Sequence, residues 1–372
     1  MSNSDTPKLQ KNLSGSVISS TNEQSKEGFK YYLRKIGSGT ETSKSLSRLE
    51  SSVALNLILN SKATPAQIGA FLIAHRIRRP EPQELAGMLD TYKELGPKLI
   101  SKENQLRPLC FGMPFDGRNK TSPIYPLTFL ILLANKQPLV LHGGKRMPTK
   151  YGVTSQELFQ ALGLKLSGLS LMQVQSGFYE NDFAFIYQPD HFPLADSLIS
   201  YRDEIGKRPP IASMELLWTA HQGEHLLVSG FVHPPTEDRA WQCLQIVGEA
   251  SAITIKGLEG STDLPISRAC IASFTKQGKR HRLILHPRDY DCYGEDLKWQ
   301  SIDSWRDHAF DALNNKGALL KALNWNAGAY LWLSGASKTL QEGINQSKLS
   351  IASGIVKQTL SKLINWKESI DN

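Results

Sequence analysis

The sequence is poor in cysteine, in long apolar runs and in acidic charge. Its 372 residues hold four cysteines, Cys110, Cys243, Cys270 and Cys292. None forms a C-x-x-C pair and no histidine lies at zinc-ligand spacing from them, which excludes the common zinc modules and a disulfide framework. Buried thiols in a reducing compartment are expected. No apolar run reaches the roughly 20 residues of a membrane span, and the Ser/Asn/Thr-rich opening has no apolar signal core. A soluble, cytoplasmic protein is the expectation. Acidic residues number 35 against 43 Lys and Arg, a net charge of +8. That excess favours phosphates, nucleic acid or anionic surfaces as partners without selecting among them. A soluble protein that is merely basic fits the charge equally well.

The stretch with chemical content is Leu109 to Gly163. Leu109-Cys110-Phe111 is a short apolar run closed by Gly112, and Asp116-Gly117-Arg118 is turn material. Tyr125 to Ala134 reads as a buried helix; Pro138 to Leu141 is a second apolar run, followed by His142-Gly143-Gly144-Lys145-Arg146. The pattern is strand, Gly-rich turn, helix, strand, Gly-rich turn, helix. In a parallel α/β sheet, loops leaving the strand C-termini form the ligand crevice. Glycines let backbone N–H groups approach an anion there, and helix N-termini add positive potential. Lys145, Arg146 and Lys150 add full charges, so this stretch suits something phosphorylated. Arg118, Lys120, Lys145, Arg146 and Lys150 fall on loops at one sheet edge and are candidates for binding a polyanion, nucleic acid first.

Residues 1–24 are polar and Ser-rich and read as a disordered tail. Residues 25–100 read as a helical N-terminal domain. Phe29, Tyr32, Leu33 and Ile36 share one helical face, and a second helix covers about 47–60. Thr64-Pro65-Ala66-Gln67 opens a third with a capping residue, Pro at the first position and Gln at the capping-box position. Pro82 opens a fourth, stopped by Gly96-Pro97. Arg76, Arg78 and Arg79 cluster at a helix end, where cations suit the dipole. Residues 101–372 read as an α/β domain with a mainly parallel sheet. Further strands are expected at 183–188, 226–232, 252–255 and 282–285, with helices at 194–205 and 241–247. Lys276 to Arg288 is a basic run on a hairpin-like turn at Gly278, expected to be solvated.

These segments together resemble the anthranilate phosphoribosyltransferase family. Leu141-His142-Gly143-Gly144-Lys145-Arg146, Lys150-Tyr151-Gly152 and Leu158 to Gly163 resemble its K-H-G-N-R, S-K-x-G and L-E-A-L-G, and Gly112 to Gly117 falls at its G-T-G-G-D-G. Ala66 to Leu72 and Glu84 to Met88 resemble Q-x-G-A-F-L and E-L-A-G of its helical domain. Ala322-Leu323-Asn324-Trp325-Asn326-Ala327-Gly328-Ala329-Tyr330-Leu331 resembles L-N-A-G-A-A-L. The resemblance implies a helical domain at the mouth of the site and a homodimer through it. It also implies tryptophan-pathway transfer of a phosphoribosyl group from phosphoribosyl pyrophosphate to anthranilate. Gly112, Asp116, Gly117, Gly143, Gly144, Lys145 and Lys150 would then face the phosphates. His142 and Arg202 would face the acceptor, though His142 also suits a structural role and Arg202 an ion pair with Glu204 or another acid.

The departures fall on the chemistry. Met113-Pro114-Phe115 fills the middle of the first turn, where Pro114 offers no N–H. Gly144 stands at the family's Asn, and Ala212 to Trp218 replaces N-x-L-G-P-L-x-N-P. The family's magnesium-holding acidic pair becomes Thr262-Asp263, with Glu259 nearby, so a weakened magnesium site is expected. The expectation is a basic, phosphate-friendly crevice that lacks ordinary tryptophan-pathway activity and binds nucleic acid or another polyanion. The alternative is an active phosphoribosyl or pentosyl transferase with anthranilate or another aromatic amine as acceptor.

Overall fold

A computed structural model describes residues 28–39, 41–113 and 117–371. The expected tail lies outside the described residues, as do Pro114, Phe115 and Asp116 of the first turn.

Four helices open the fold: α1 (Lys30–Gly37), α2 (Arg48–Leu59), α3 (Pro65–Arg78) and α4 (Pro82–Leu95). The capping signal at Thr64 is realised. Its side chain accepts from Gln67 N, and Gln67 accepts from Thr64 N at 3.0 Å. Gly87 lets α4 lie against α2, because a Cβ there would meet the Arg48 carbonyl at 2.1 Å. Glu84, fully buried on α4, ties the unit together by accepting from Leu46 N at 2.9 Å, from Glu81 N at 2.7 Å and from Arg78. Arg78 is thus spent inside the unit.

The α/β part contains β1 (Leu99–Ile100), β2 (Leu109–Gly112), α5 (Tyr125–Ala134), β3 (Leu139–Gly143), α6 (Ser155–Ala161), α7 (Leu171–Asn181) and β4 (Phe183–Tyr187). Short helices α8 (Gln188–His191), α9 (Pro193–Asp196), α10 (Leu198–Glu204) and α11 (Ile211–Met214) follow. Then come β5 (His221–Gln222), β6 (Leu226–Gly230), α12 (Pro234–Ile246), β7 (Ala252–Ile255), β8 (Cys270–Lys276) and β9 (Lys279–Leu285). The chain closes with α13 (Ile302–Leu313), α14 (Leu320–Leu333), α15 (Leu340–Ala352) and α16 (Ile355–Asp371). The main sheet has seven strands in the order β4-β3-β2-β6-β7-β8-β9. The first five are parallel, and β8 and β9 add antiparallel pairs.

Strand alternation sorts the two cores. Leu109, Phe111, Leu139 and Leu141 join the core under α5, α14, α15 and α16. Cys110, Val140 and Leu227 point the other way, into the core shared with the helical unit. The four cysteines are free and buried. One local expectation is corrected: the helix expected over 194–205 is two pieces that meet at Ser197. The strand expected at 282–285 begins earlier, at Lys279, because Gln277 (φ 51°) and Gly278 (φ 70°) make a two-residue turn that lets β8 and β9 pair.

Candidate functional site

The strand order reverses at β2: β3 lies on one side and β6 on the other. Ligands of open α/β folds bind outside the strand C-termini at such a point. Here a segment of chain covers it. Residues 211–217, α11 plus one turn of 3-10 helix, pack onto β2 and β6. This is the segment where the family's N-x-L-G-P-L is replaced. A Cβ on Gly112 would meet the Leu216 carbonyl at 1.9 Å. The glycine therefore makes room for the protein's own backbone.

The same holds at the neighbouring turn. Arg118 and Val153 form an antiparallel bridge, N to O at 3.2 and 2.8 Å. It stitches the loop after β2 to the loop after β3. Gly117 (φ 71°) and Gly152 permit it: a Cβ on Gly117 would meet the Gly152 carbonyl at 2.4 Å, and one on Gly152 would meet Arg118 N at 2.4 Å. Gly143 ends β3 with the Phe185 ring 3.3 Å from where a Cβ would be, and Gly144 is buried beside it.

Arg118 turns inward, which corrects its expected place on a solvent edge. It is 1% exposed. Its guanidinium donates to the Asp263 carboxylate, to the Ser261 hydroxyl at 3.1 Å, to Thr121, and to Glu259 Oε1 at 3.4 Å. Asp263 also accepts from Ile124 N at 2.9 Å. Glu259 accepts from Thr121 N at 3.0 Å, Lys120 N at 3.1 Å and Asn119 N at 3.3 Å, and Lys150 Nζ lies 3.5 Å from it. Burial pushes the Glu259 carboxyl up, but Arg118, these backbone donors and Lys150 outweigh it and hold it down at about 2. Both expected magnesium ligands are thus filled by protein donors, one of them permanently cationic. A divalent ion would have to displace Arg118, so these residues do not fit a resident metal.

The remaining predicted cations are divided. Lys145 Nζ pairs with Asp196 at 2.9 Å and Arg146 Nε with Glu157 at 2.8 Å, both cations about half exposed. Lys120 is exposed. His142 is buried against Trp218, ring centroids 5.3 Å apart, and burial pushes its imidazole down to about 4, so it is neutral at pH 7. Arg202 is also buried. Its partner is Glu215 of the covering segment at 3.3 Å, and Glu215 accepts from Tyr92 of α4 at 2.9 Å. The ion-pair alternative is realised, with an acid 13 residues away instead of Glu204.

A cavity of about 240 Å³ survives beside the covered point. Arg202, Arg208, Ser213, Ser229, Thr254 and Glu259 are among its walls. It opens toward a larger groove of about 770 Å³ between the helical unit and α12, with which it shares Arg208, Ser213, Leu217 and His233. Arg76, Arg79, Arg208 and Arg239 line that groove. Arg76 and Arg79 were visible as a cluster in sequence and suited the helix dipole alone. Nothing in the local sequence marks Arg239 or Glu215.

A four-helix unit joined to a mainly parallel α/β sheet, with the cleft at its switch point, defines a two-part transferase fold. Family models agree over both parts. Residues 30–96 match the glycosyl transferase family helical bundle domain, and 128–356 match the α/β domain of the same family. The chain belongs to this glycosyl transferase family. It is 22% identical over 318 residues to an anthranilate phosphoribosyltransferase of Burkholderia cenocepacia, covering 84% of this chain and 91% of that one. Among solved structures, the anthranilate phosphoribosyltransferase of Thermus thermophilus superposes with a TM-score of 0.72 at 20% identity, over 87% of this chain and 96% of that one. That of Saccharomyces cerevisiae in complex with PRPP and Mg superposes with a TM-score of 0.75 at 15% identity, over 92% and 98%. Among the described residues no helix is long and apolar enough to cross a membrane.

Proposed function

We propose that this chain is a metal-independent polyanion-binding member of the family that does not carry out ordinary anthranilate phosphoribosyl transfer. The observation that carries the reading is Arg118, buried between Asp263 and Glu259 where the family resemblance puts the metal ligands. Pentosyl transfer to an amine depends on positioning and on stabilising charge at the departing pyrophosphate. With the metal's ligands filled and the Gly112 cradle closed by Leu216, that stabilisation falls to few groups, and each lost donor costs roughly 10²–10³ in rate. The net charge of +8 favours a polyanionic ligand.

The test is pyrophosphate release from phosphoribosyl pyrophosphate with anthranilate and magnesium. The expected turnover is at least a thousandfold below about 1 s⁻¹. A rate near or above that value overturns the reading. It would establish the second reading, an active transferase, which is favoured by family membership along nearly the whole chain and by the surviving cavity with Arg202 and Arg208 in its wall. A homodimer through the helical unit belongs to the proposal, supported by the exposed apolar side chains of Leu49 and Ile77 on α2 and α3. Sedimentation as a stable monomer at micromolar concentration would remove it.

A further inference from the structure

Glu215, in the segment that covers the switch point, is met by groups from three distant elements. Its Oε1 accepts from the Tyr92 hydroxyl of α4 at 2.9 Å, and its Oε2 from Arg202 Nη1 of α10 at 3.3 Å. The His142 imidazole, near the end of β3, hydrogen-bonds its backbone. Tyr92, His142, Arg202 and Glu215 are each at most 3% exposed. The two residues expected to face an acceptor, His142 and Arg202, are thus both held by one residue of the protein itself.

Stability does not account for the ion pair. Burial pushes the Glu215 carboxyl up by more than Arg202 and Tyr92 pull it back. Desolvating two charges can cost as much as their attraction returns, and apolar side chains of the same volume serve a core as well. The bonding is also incomplete. A guanidinium has five N–H donors, and the buried Nε of Arg202 has no hydrogen-bond partner. Arg202 forms part of the wall of the cavity of about 240 Å³, together with Ser213, Leu216 and Leu217 of the covering segment. A guanidinium in such a wall suits a carboxylate, which it can hold through two parallel N–H groups. Glu215 is not among the described lining, so it takes the charge of Arg202 from outside the cavity.

We propose that Glu215 is an internal counter-ion that closes this cavity to carboxylate-bearing molecules, which makes it the specificity-determining residue of the cleft. Its carboxylate supplies the negative charge that an aromatic acid would bring. A second carboxylate at Arg202 would face Glu215 as a like charge, away from water, where repulsion is strong. An uncharged ring of the same size meets no such repulsion. This role rests on the reading above, that the chain does not carry out ordinary anthranilate transfer, and names the residue that shuts out the acceptor.

Titration calorimetry on the full chain tests it, with benzoate and anthranilate as probes, benzamide as the uncharged control and thermal melting to check folding. The parent chain should bind neither acid at millimolar concentration. Glu215→Gln keeps the size of the side chain but leaves Arg202 without its counter-charge. It should bind both acids about tenfold or more tightly than the parent, with benzamide unchanged, and adding Arg202→Gln should abolish the gain. A structural Glu215 would lower the melting temperature with no gain in acid binding, and that result overturns the proposal. So does a parent chain that binds benzoate as tightly as Glu215→Gln does. Should Glu215→Gln not fold alone, benzoate should restore its melting transition where equimolar chloride does not, and failure to restore it counts against the proposal. Pyrophosphate release is read in parallel. A parent that turns over anthranilate overturns this role and the reading it rests on, whereas one that binds the acids without turnover overturns this role alone.

Discussion

Two arginine-bearing regions of this molecule look alike by residue type and behave differently. The loops after β2 and β3 hold Arg118, Lys145, Arg146 and Lys150, and every one of them has a carboxylate partner. The groove between α3 and α12 holds Arg76, Arg79, Arg208 and Arg239 with no acid in its described lining. A count of cations therefore says little about where an anion binds. What matters is whether the fold has already supplied the counter-charge. At the sheet edge it has, through Glu259, Asp263, Glu157 and Asp196.

The comparison breaks most visibly on Arg118. Arg118→Met strips buried Asp263 of its cation and leaves Glu259 with Lys150 alone, and breaking such a buried pair costs about 3–5 kcal/mol. Urea unfolding should show that loss, whereas Arg239→Gln should stay within about 0.5 kcal/mol of the parent. Equal stability of the two variants would erase the distinction drawn between the regions. A next, smaller effect is expected at Gly112→Ala. Its Cβ would collide with the Leu216 carbonyl, and overpacking of this kind costs about 1–3 kcal/mol. A neutral result would mean that the covering segment moves freely off the sheet edge.

Acid sharpens the contrast further. The Glu259 carboxyl is held at about 2, as is that of Glu84, where burial is outweighed by His75 and Arg78 beside it. Both lie below the ordinary carboxyl value of 4.5. Their stabilisation is complete above about pH 4.5 and is lost as pH falls toward 2. Melting temperatures taken through that window should drop for the parent chain and drop less for Glu84→Gln, which starts lower. A parent melting temperature that stays level across the window would contradict both assignments. The smallest change is expected at the exposed pairs. Lys145→Ala or Arg146→Ala should cost about 0–1 kcal/mol, and added salt should mask it.

The fold was legible in the sequence where signals were local. Thr64-Pro65 with Gln67, the helical face of Tyr32 and Ile36, and the apolar runs at β2 and β3 each depend on neighbours a few residues away, and each is realised. The turn at Gly278 and a strand at 282–285 were legible too, but not that the strand would begin at Lys279 and pair with β8 along its length. Departures from the family pattern at Ala212 to Trp218 marked an altered site without saying what replaced it.

The sequence by itself determined the family, the helical and α/β parts, and an excess of positive charge. Only the tertiary structure decided how that charge is used. Glycine permits close approach whatever approaches, so Gly112, Gly117 and Gly152 read alike as a phosphate cradle or as a backbone crossing, and only the fold shows that the backbone of Leu216, Gly152 and Arg118 comes against them. Arginine is cationic in any setting. Whether Arg118 faces a ligand or Asp263, 145 residues on, depends on which elements the fold brings together, and spacing along the chain carries no record of that.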